Sequence, residues 1–478
     1  AAMAEAPGGT PEWLLLDAAW LPGGAAPSDR PPSGVALALA SALLLWFVVE
    51  AFFYLWYQIT LNRAQGIDAK PYISSEDRNF LLDKMCLHAE EYGMWRQIRG
   101  WFLTKDGTTH SPHEVGTDDL LELLAWAFLY KRLEEVDADE MAWLKTSADK
   151  IESEFNLDKC VRPGRSGVVS VRHTLDRIRA IHRPLLFYLG CWLLQALSGV
   201  LLRLRGFRRS RHGGLRYWHR LASRGSQGLA SAEQAEAAQV SSETRPLIFF
   251  HGIGLGLATY WTLLARLPQK DQVFFEMPWI AMNPLAEIPS SEDYARWVVE
   301  VLQAHELADC VGMGHSFGTL PIAWLLRRHP GVLKQVILVD PVSIFLNLPD
   351  VCVNFLYKPP RTFSGFIMSW FGARELGIAK TLMRHFFWTD NVLFPEMLPA
   401  DSSVVLMGKD GILPVRDIYT SVSKFPHVRQ LVVDDMHHGQ FLYCPSAMQA
   451  IMDHLGWART AVSTGSAGRW LGWWYPYR

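Results

Sequence analysis

The chain has 478 residues, more than a single compact domain usually contains, so it has room for more than one folded part. Its 46 basic and 48 acidic side chains give a formal net charge of -2, and this balance gives no overall reason to expect a nucleic-acid partner. The 20 Trp and 24 Phe residues require a large core or a lipid-facing surface. The six cysteines are scattered singly, a spacing that favours buried thiols over a disulfide framework or a metal site.

The first apolar segment follows a leader rich in Ala, Gly and Pro. We predict that residues 1–34 are flexible and that residues 35–61 form a transmembrane helix, because about 20 apolar residues span the hydrocarbon core of a bilayer. Glu50 is the only charge in this run, and the aromatic residues that follow it are typical of a membrane interface. The length of the run and the lack of a basic region before it disfavour a cleavable signal peptide.

Residues 62–183 combine many charges with helical periodicity and predict a small helical region. One helix is expected to start at the N-cap Thr117 and to continue through Trp126. Three neighbouring side chains have the chemistry of metal ligands, although a solvated loop is the favoured interpretation: His110, His113 and Glu114.

A second apolar run, residues 184–203, precedes a block of arginines within a predicted basic segment and linker, residues 204–244. The run is barely long enough to span a bilayer, so a transmembrane helix and an in-plane interfacial helix are both open interpretations. The arginines favour the cytoplasmic face or an anionic lipid surface. We therefore expect an integral membrane protein with one or two transmembrane helices, whose following domain lies on the cytoplasmic face.

From residue 245 the pattern changes to short apolar strands that alternate with amphipathic helices, which predicts a parallel sheet covered on both faces. This domain is expected to cover residues 245–458 and to be followed by an aromatic tail, residues 459–478. The predicted strands are Pro246–His251, Asp271–Met277, Cys310–Gly314, Gln335–Val339, Ser403–Gly408 and Gln430–Asp434.

The strongest motif is Gly314-His315-Ser316-Phe317-Gly318, which lies between a predicted strand and a predicted helix. A serine between two glycines at such a junction is typical of a tight turn that exposes a nucleophilic hydroxyl. The helix that follows directs backbone N–H groups toward the same place, so the N–H of Phe317 is a candidate oxyanion donor. Ser316 is therefore the predicted nucleophile.

A second oxyanion donor is expected at the end of the first predicted strand, in His251-Gly252-Ile253-Gly254. The N–H of Ile253 or of Gly252 could stabilise a tetrahedral intermediate together with that of Phe317. The alternative interpretation of this segment is an ordinary glycine turn.

The candidate acids and bases also follow predicted strands. Asp410 comes directly after a strand and precedes the histidines, in the order Ser, acid, His, while Asp340 is a rival acid that could instead be a helix cap or a wall of the site. Two adjacent histidines, His437 and His438, follow the last strand, and both are candidate bases.

The Gly314 to Gly318 motif, Asp410 with Pro414, and a histidine followed by Pro445 resemble the α/β-hydrolase superfamily over about residues 245–458. In that superfamily a proline commonly opens the next helix seven positions after the catalytic histidine, which implies His438 as the base. The segments His251–Gly256 and Arg384–Trp388 further resemble membrane-anchored hydrolases of fungi and algae. The resemblance implies the α/β-hydrolase fold and serine hydrolase chemistry.

An aromatic insertion, at about residues 343–400, is expected to form a lid in this fold, either as ordinary lid core or as a surface for an acyl chain. Phe345 and Trp388, with His251 and His315, are candidate substrate-binding residues. The expected activity is hydrolysis of a lipid-like carboxylic ester through an acyl-enzyme, with no metal and no cofactor. An acyltransferase with the same triad and a non-catalytic membrane scaffold are the alternatives.

Overall fold

The computed structural model describes residues 34–66, 71–104, 115–157, 160–222 and 245–457. Several predicted features lie outside these ranges: residues 1–33 of the leader, the candidate metal ligands His110, His113 and Glu114, most of the linker, and the C-terminal tail 459–478.

The first helix, α1 (Gly34–Ala64), covers the predicted transmembrane run and extends three residues beyond its end. The chain divides into two compact units within this helix, between Phe53 and Tyr54. In the described part of the first unit most side chains are exposed, and most of these are apolar. By length and composition, α1 and a second helix described below could each cross a membrane.

The second unit begins with a helical region whose apolar side chains form a core with the rest of the unit. Its helices are α2 (Ser75–Tyr92), α3 (Met94–Gly100), α4 (Thr117–Leu129) and α5 (Ala138–Glu154). Two small sheets are built from β1 (Phe102–Leu103), β2 (Val115–Gly116), β3 (Val161–Arg162) and β4 (Val169–Ser170).

Helix α4 starts slightly earlier than its sequence pattern predicts. Its N-cap is Gly116, whose N–H donates to the carboxylate of Asp119, and Thr117 is the first helical residue. The Thr117 hydroxyl instead accepts a hydrogen bond from the N–H of Gly164.

The second apolar run forms α6 (Leu185–Leu204), which is followed by an eight-stranded sheet. The strands are β5 (Arg208–His212), β6 (Leu215–Arg220), β7 (Leu247–Phe250), β8 (Gln272–Glu276), β9 (Cys310–His315), β10 (Leu333–Val339), β11 (Ser402–Met407) and β12 (Val428–Val433). Their order is β12-β11-β10-β9-β7-β8-β6-β5. Strands β7 to β12 are parallel, and β6 is antiparallel to both of its neighbours.

The hairpin β5–β6 corrects the prediction that residues 204–244 are only a basic segment and linker. Residues 208–220 extend the sheet by two strands, because Tyr217 and Trp218 pair with the buried Phe275 and Phe274 of β8. Arginines are compatible with this edge where they contact aromatic rings or acidic partners, and the guanidinium groups of Arg203 and Arg209 lie over the ring of Trp218. Arg209, for example, forms an ion pair with Glu276 at 2.6 Å.

The central strands are buried on both faces, so alternate residues enter two different cores. Phe250 and Phe275 stack at 5.1 Å in the core shared with the helical region, whereas Phe249 and Phe274 belong to the opposite core. The helices around the sheet are α7 (Trp261–Leu264), α8 (Ser291–Ala304), α9 (Thr319–Arg328), α10 (Asp350–Cys352), α11 (Phe363–Met368), α12 (Leu376–Arg384), α13 (Trp388–Asn391), α14 (Val415–Val422) and α15 (Pro445–His454).

Helices α10 to α13 lie in the inserted lid, which is fastened to the N-terminal segments by the buried guanidinium of Arg384. Its Nε donates to the carbonyl of Gly66 at 2.9 Å, and a second nitrogen donates to Gln65 at 3.1 Å. A third nitrogen donates to the carbonyls of Thr174 at 3.3 Å and Asp176 at 2.9 Å. One side chain thus joins the end of α1, the loop before α6 and the lid.

Arg384→Met should therefore lower the thermal stability of the second unit by several degrees. The substitution removes a buried guanidinium whose carbonyl partners are mostly part-buried and stay in place, and such a loss costs about 3 kcal/mol. Thermal unfolding in detergent measures the change, with the exposed lid residue Arg361 replaced by Met as the matched control. Equal melting temperatures for the two variants would contradict this role of Arg384.

Candidate active site

Ser316 occupies a strained turn between β9 and the helix that follows it. Its φ is +54°, a left-handed value that few non-glycine residues adopt. A Cβ on Gly314 would lie 2.4 Å from the carbonyl oxygen of Gly318, and a Cβ on Gly318 would lie 2.2 Å from that of Phe250. Both glycines are required because no side chain fits in these gaps, and the turn presents the half-buried Ser316 at the edge of the sheet.

The side chains of Ser316, His438 and Asp410 form a continuous hydrogen-bonded chain. His438 Nε2 is 2.8 Å from Ser316 Oγ, and His438 Nδ1 is 2.6 Å from Asp410 Oδ2. The second oxygen of Asp410 accepts from the N–H groups of Ile412 at 2.7 Å and Leu413 at 3.2 Å. Asp410 is thus fixed by the loop after β11, and the imidazole can take the serine proton on its other nitrogen.

His438 and Asp410 shift each other's pKa. Burial disfavours the charged imidazolium, but the negative charge of Asp410, its hydrogen bond and a contribution from Asp340 together raise the pKa of His438 above its ordinary value. Burial raises the pKa of the Asp410 carboxyl, but the charge and hydrogen bond of His438 and two backbone N–H groups lower it overall. The site therefore favours the ion pair, which is the state formed when His438 accepts a proton.

The rival acid, Asp340, is fully buried, and its hydrogen bonds hold backbone groups rather than the imidazole of His438. Its two oxygens accept from the N–H groups of Met407 at 3.0 Å and Gly439 at 2.9 Å. Asp340 thereby connects the end of β11 to the residue that follows His438. This geometry gives Asp340 a positioning role and leaves the contact with His438 Nδ1 to Asp410.

The other candidate base, His437, is hydrogen-bonded to a backbone carbonyl rather than to Ser316 or Asp410. Its Nδ1 lies 2.9 Å from the carbonyl oxygen of Lys409, whereas the nitrogen next to Ser316 belongs to His438.

The two candidates for the second oxyanion donor differ in what their N–H groups contact. The N–H of Gly252 donates to the hydroxyl of Tyr260 at 2.7 Å, so it is not available, contrary to one of our expectations. The N–H of Ile253 donates to no other group in the described part of the chain, and both Ile253 and Phe317 line the cavity in front of Ser316. The oxyanion donors that the geometry favours are therefore Ile253 and Phe317.

Tyr260, which no sequence motif marks, contacts Gly252 and His315 beside Ser316. Its hydroxyl lies 2.6 Å from Nδ1 of His315, while Nε2 of His315 lies 3.7 Å from Asp340. Burial lowers the pKa of His315, so this histidine is neutral near pH 7 although it lines the cavity. The one signal for Tyr260 in the sequence is its place in the segment after β7. From the sequence alone, a tyrosine at this place cannot be distinguished from an ordinary core residue.

His251 does not reach the cavity, contrary to its expected role in substrate binding. It is buried behind the sheet edge, where its Nε2 accepts from the N–H of Met277 at 2.9 Å and its Nδ1 lies 2.8 Å from the carbonyl of Gly252. Burial lowers its pKa to about 4. His251 therefore stabilises the turn that carries Ile253.

A cavity of about 680 Å³ lies in front of Ser316, between the sheet edge and the lid. Ser316, His315, His437 and His438 contribute polar groups on the sheet side. The lid side is apolar and includes Val351, Phe355, Phe363, Ile367, Met368, Phe371, Leu382 and Phe386. Such a cavity is of the size that small ligands occupy, and its lid side accommodates an apolar group.

Phe345 and Trp388 belong to the lid core rather than to this cavity, which corrects their expected role. Phe345 is fully buried against the ring of Tyr92 in α2. Trp388 packs against Phe128 in α4 and donates its indole N–H to the carbonyl of Ala127 at 2.6 Å. These side chains pack there because the helical region covers the outside of the lid.

A cation could in principle be held by Asp340, Asp410 and His438, since one ligand atom from each lies within 4.8 Å of the others. However, both oxygens of Asp340 already accept backbone N–H groups, and Asp410 is bonded to His438. These contacts account for the cluster as a hydrogen-bonded network.

The parallel sheet with its antiparallel β6, the strand-to-helix turn at Ser316 and the lid inserted after β10 define the α/β-hydrolase fold. The described helices cover both faces of the sheet, as the sequence predicts.

The chain matches no family model, and no curated protein sequence matches it. Among solved structures it is similar to a membrane phospholipase A described as a bacterial virulence factor, at 14% identity over 58% of this chain and 94% of that one, with a TM-score of 0.39. It is also similar to a naproxen esterase from Bacillus subtilis, at 16% identity over 56% and 96% of the two chains, with a TM-score of 0.37. It is similar to a second carboxylesterase from that bacterium as well, at 13% identity over 56% of this chain and 98% of that one, with a TM-score of 0.35.

Asp410→Asn should reduce kcat by about 10⁴, because a neutral amide cannot hold the imidazole in its working tautomer or stabilise its charged form. Asp340→Asn keeps an oxygen that can accept an N–H and should cost less than about tenfold. Ester hydrolysis by each purified variant measures the difference, after its melting temperature shows that it is folded. A dead Asp340 variant beside an active Asp410 variant would reverse the two roles.

The pH dependence of kcat/KM should also reveal the effect of the two carboxylates on His438. His438 must be neutral to accept a proton, so kcat/KM should fall as the pH falls through its raised pKa, with a midpoint above the ordinary value of about 6.5. Asp340→Asn should move this midpoint to lower pH, since it removes a negative charge that favours the imidazolium. A pH profile with a midpoint at or below 6.5, unchanged by the substitution, is the contrary result.

Proposed function

We propose that this chain is a membrane-attached serine hydrolase that cleaves a carboxylic ester of a lipid, with Ser316 as nucleophile, His438 as base and Asp410 as the acid. The observation that carries the proposal is the 2.8 Å contact between Ser316 Oγ and His438 Nε2 at the wall of a cavity with an apolar lid side. An acyl chain of a lipid matches the chemistry of that side.

In the first half of the reaction, His438 takes the proton of Ser316 as Oγ attacks the ester carbonyl carbon. The carbonyl oxygen becomes negative, and the N–H groups of Ile253 and Phe317 stabilise it. The tetrahedral intermediate then breaks its bond to the alcohol oxygen, which takes the proton from His438. The products of this half are a free alcohol and an acyl group bound to Ser316.

In the second half, His438 takes a proton from a water molecule that attacks the acyl carbon. The new intermediate collapses, Oγ of Ser316 recovers its proton from His438, and the carboxylic acid leaves. Asp410 stays ionised throughout and stabilises the imidazolium in both halves.

Attachment to a membrane is supported by α1 and α6, which are long and apolar enough to contact a bilayer core. A lipid ester is the substrate class that such a location and the apolar side of the cavity favour together. The arginines that follow α6 favour the cytoplasmic side.

Ser316→Ala should abolish covalent labelling by a fluorophosphonate and reduce ester hydrolysis to background. The reason is that the variant lacks the attacking oxygen while the turn and its glycines remain. Labelling in native membranes measures this effect, and Ser153→Ala, at an exposed serine on α5, is the matched control. Full labelling of the Ser316 variant would remove this residue from the mechanism. Product analysis with an added lipid alcohol distinguishes hydrolysis from acyl transfer.

A further inference from the structure

Helix α6 has one face that is fixed to the hydrolase unit along its whole length. Near its start, the hydroxyl of Tyr188 donates to the buried Glu375 of the lid at 2.9 Å. In its middle, Gln195 donates to the carbonyl of Ala281 at 2.8 Å. Near its end, Gly199 packs against Trp218 of β6 so closely that a Cβ would lie 3.1 Å from the indole ring.

These contacts are incompatible with a helix that crosses a bilayer as a separate span. A crossing helix would carry its docked neighbours into the hydrocarbon core, including the strand β6 and its charged partner β5. Exposed sheet edges and arginines are very costly in that environment. Only the other face of α6 is therefore free to contact lipid.

That other face, which we call the leucine face, is entirely apolar over most of the helix. The exposed residues from Leu186 to Leu201 include no polar or charged side chain: Leu186, Leu189, Gly190, Leu193, Leu194, Ala196, Leu197, Val200 and Leu201. An uninterrupted apolar surface of this length is unusual on a protein that is surrounded by water. Exposed arginines follow it at 203, 205, 208 and 211, and their charge is complementary to anionic lipid headgroups.

The rim of the substrate cavity lies beside the start of the same helix. Phe363, Ile367 and Phe371 line the cavity and are exposed at the surface as well. The ring of Phe371 is 5.6 Å from that of Phe187, which is in the first turn of α6. The exposed side of the lid and the leucine face of α6 thus meet at this pair of rings.

We propose that α6 lies in the plane of the membrane surface on its leucine face, and that the lid rim beside it is the entry through which an acyl chain passes from the bilayer into the cavity. The occupant of this surface is the lipid bilayer itself, because the face is apolar along its length and ends in arginines. The position of α6 follows from its contacts alone, whereas the entry route rests on the proposed function.

The position of the surface can be tested by photo-crosslinking in the full-length protein. Benzoylphenylalanine replaces Leu193 on α6 or Phe366 on the lid, and the protein is reconstituted into phosphatidylcholine vesicles that contain a clickable phosphatidylcholine. Both positions should crosslink to lipid. The matched control is Leu87 on α2, which is 55% exposed compared with 52% for Phe366. Benzoylphenylalanine at this position should not crosslink to lipid. Crosslinks to a second protein copy or to residues 34–53 in place of lipid would overturn the proposal.

The orientation of α6 can be tested by labelling its two ends with a membrane-impermeant maleimide. Ile181→Cys and Arg211→Cys flank the helix at exposed positions, in a chain whose partly exposed Cys160 and Cys444 are replaced by Ser. Labelling of both cysteines from the same side of sealed vesicles is expected for an in-plane helix. Labelling from opposite sides would show that α6 crosses the bilayer.

The entry route can be tested by comparing two substrates. Leu193→Asp and Phe366→Asp should lower hydrolysis of p-nitrophenyl palmitate in phosphatidylcholine vesicles by about tenfold or more, because an aspartate opposes insertion of this face. The rate at which both variants hydrolyse water-soluble p-nitrophenyl acetate should stay within about twofold of the rate of the unmodified protein. The control variant Leu87→Asp should hydrolyse both esters within about twofold of the unmodified rates.

Unchanged palmitate hydrolysis by both variants would overturn the entry route, and so would an equal loss of acetate hydrolysis in variants that melt normally. If the unmodified protein hydrolyses neither ester, the proposed function fails and the entry route fails with it. The crosslinking result still decides where α6 lies in that case, so the two failures are distinguishable.

Discussion

The close approach of three backbone segments at Ser316 is the constraint on which the rest of the site depends. The carbonyl of Gly318 faces Gly314, and the carbonyl of Phe250 lies against Gly318, with no space for a Cβ at either glycine. Because β7 ends against the start of the helix after Ser316, the turn that follows β7 is brought close to Ser316. Ile253, three residues beyond Phe250, reaches the cavity for this reason.

The two acids beside His438 are only a few ångströms apart, yet their surroundings give them different tasks. Asp410 directs one oxygen to the imidazole and one to the backbone of its own loop. Asp340 directs both oxygens to backbone N–H groups of other segments. One carboxylate can therefore stabilise a positive charge on His438, while the other maintains the position of the loop that carries His438.

Residues that obey a local rule could be predicted from the sequence. The six strands after residue 245 are predictable because apolar runs of that length end at turn residues. The strand-turn-helix motif indicates Ser316 and the chain order favours Asp410, whereas only the resemblance to α/β-hydrolases implies His438 rather than His437. The three side chains lie within hydrogen-bond distance. Residues whose role depends on distant partners could not be predicted. Aromatic content alone does not tell whether Phe345 faces a cavity or α2. The sequence of β5 and β6 resembles a basic linker because nothing in it shows that β6 pairs with β8 and β5 with β6.

The contacts of Arg384 also constrain the order in which the chain can fold during synthesis. Its partners at Gln65 and Gly66 precede it by 319 and 318 residues, so they leave the ribosome long before it does. The end of α1 and the loop at Asp176 cannot reach their final contacts until the lid has been translated. Their carbonyl groups need other partners, such as water or a chaperone, during that interval. The N-terminal half of this protein is therefore completed by one of its late segments.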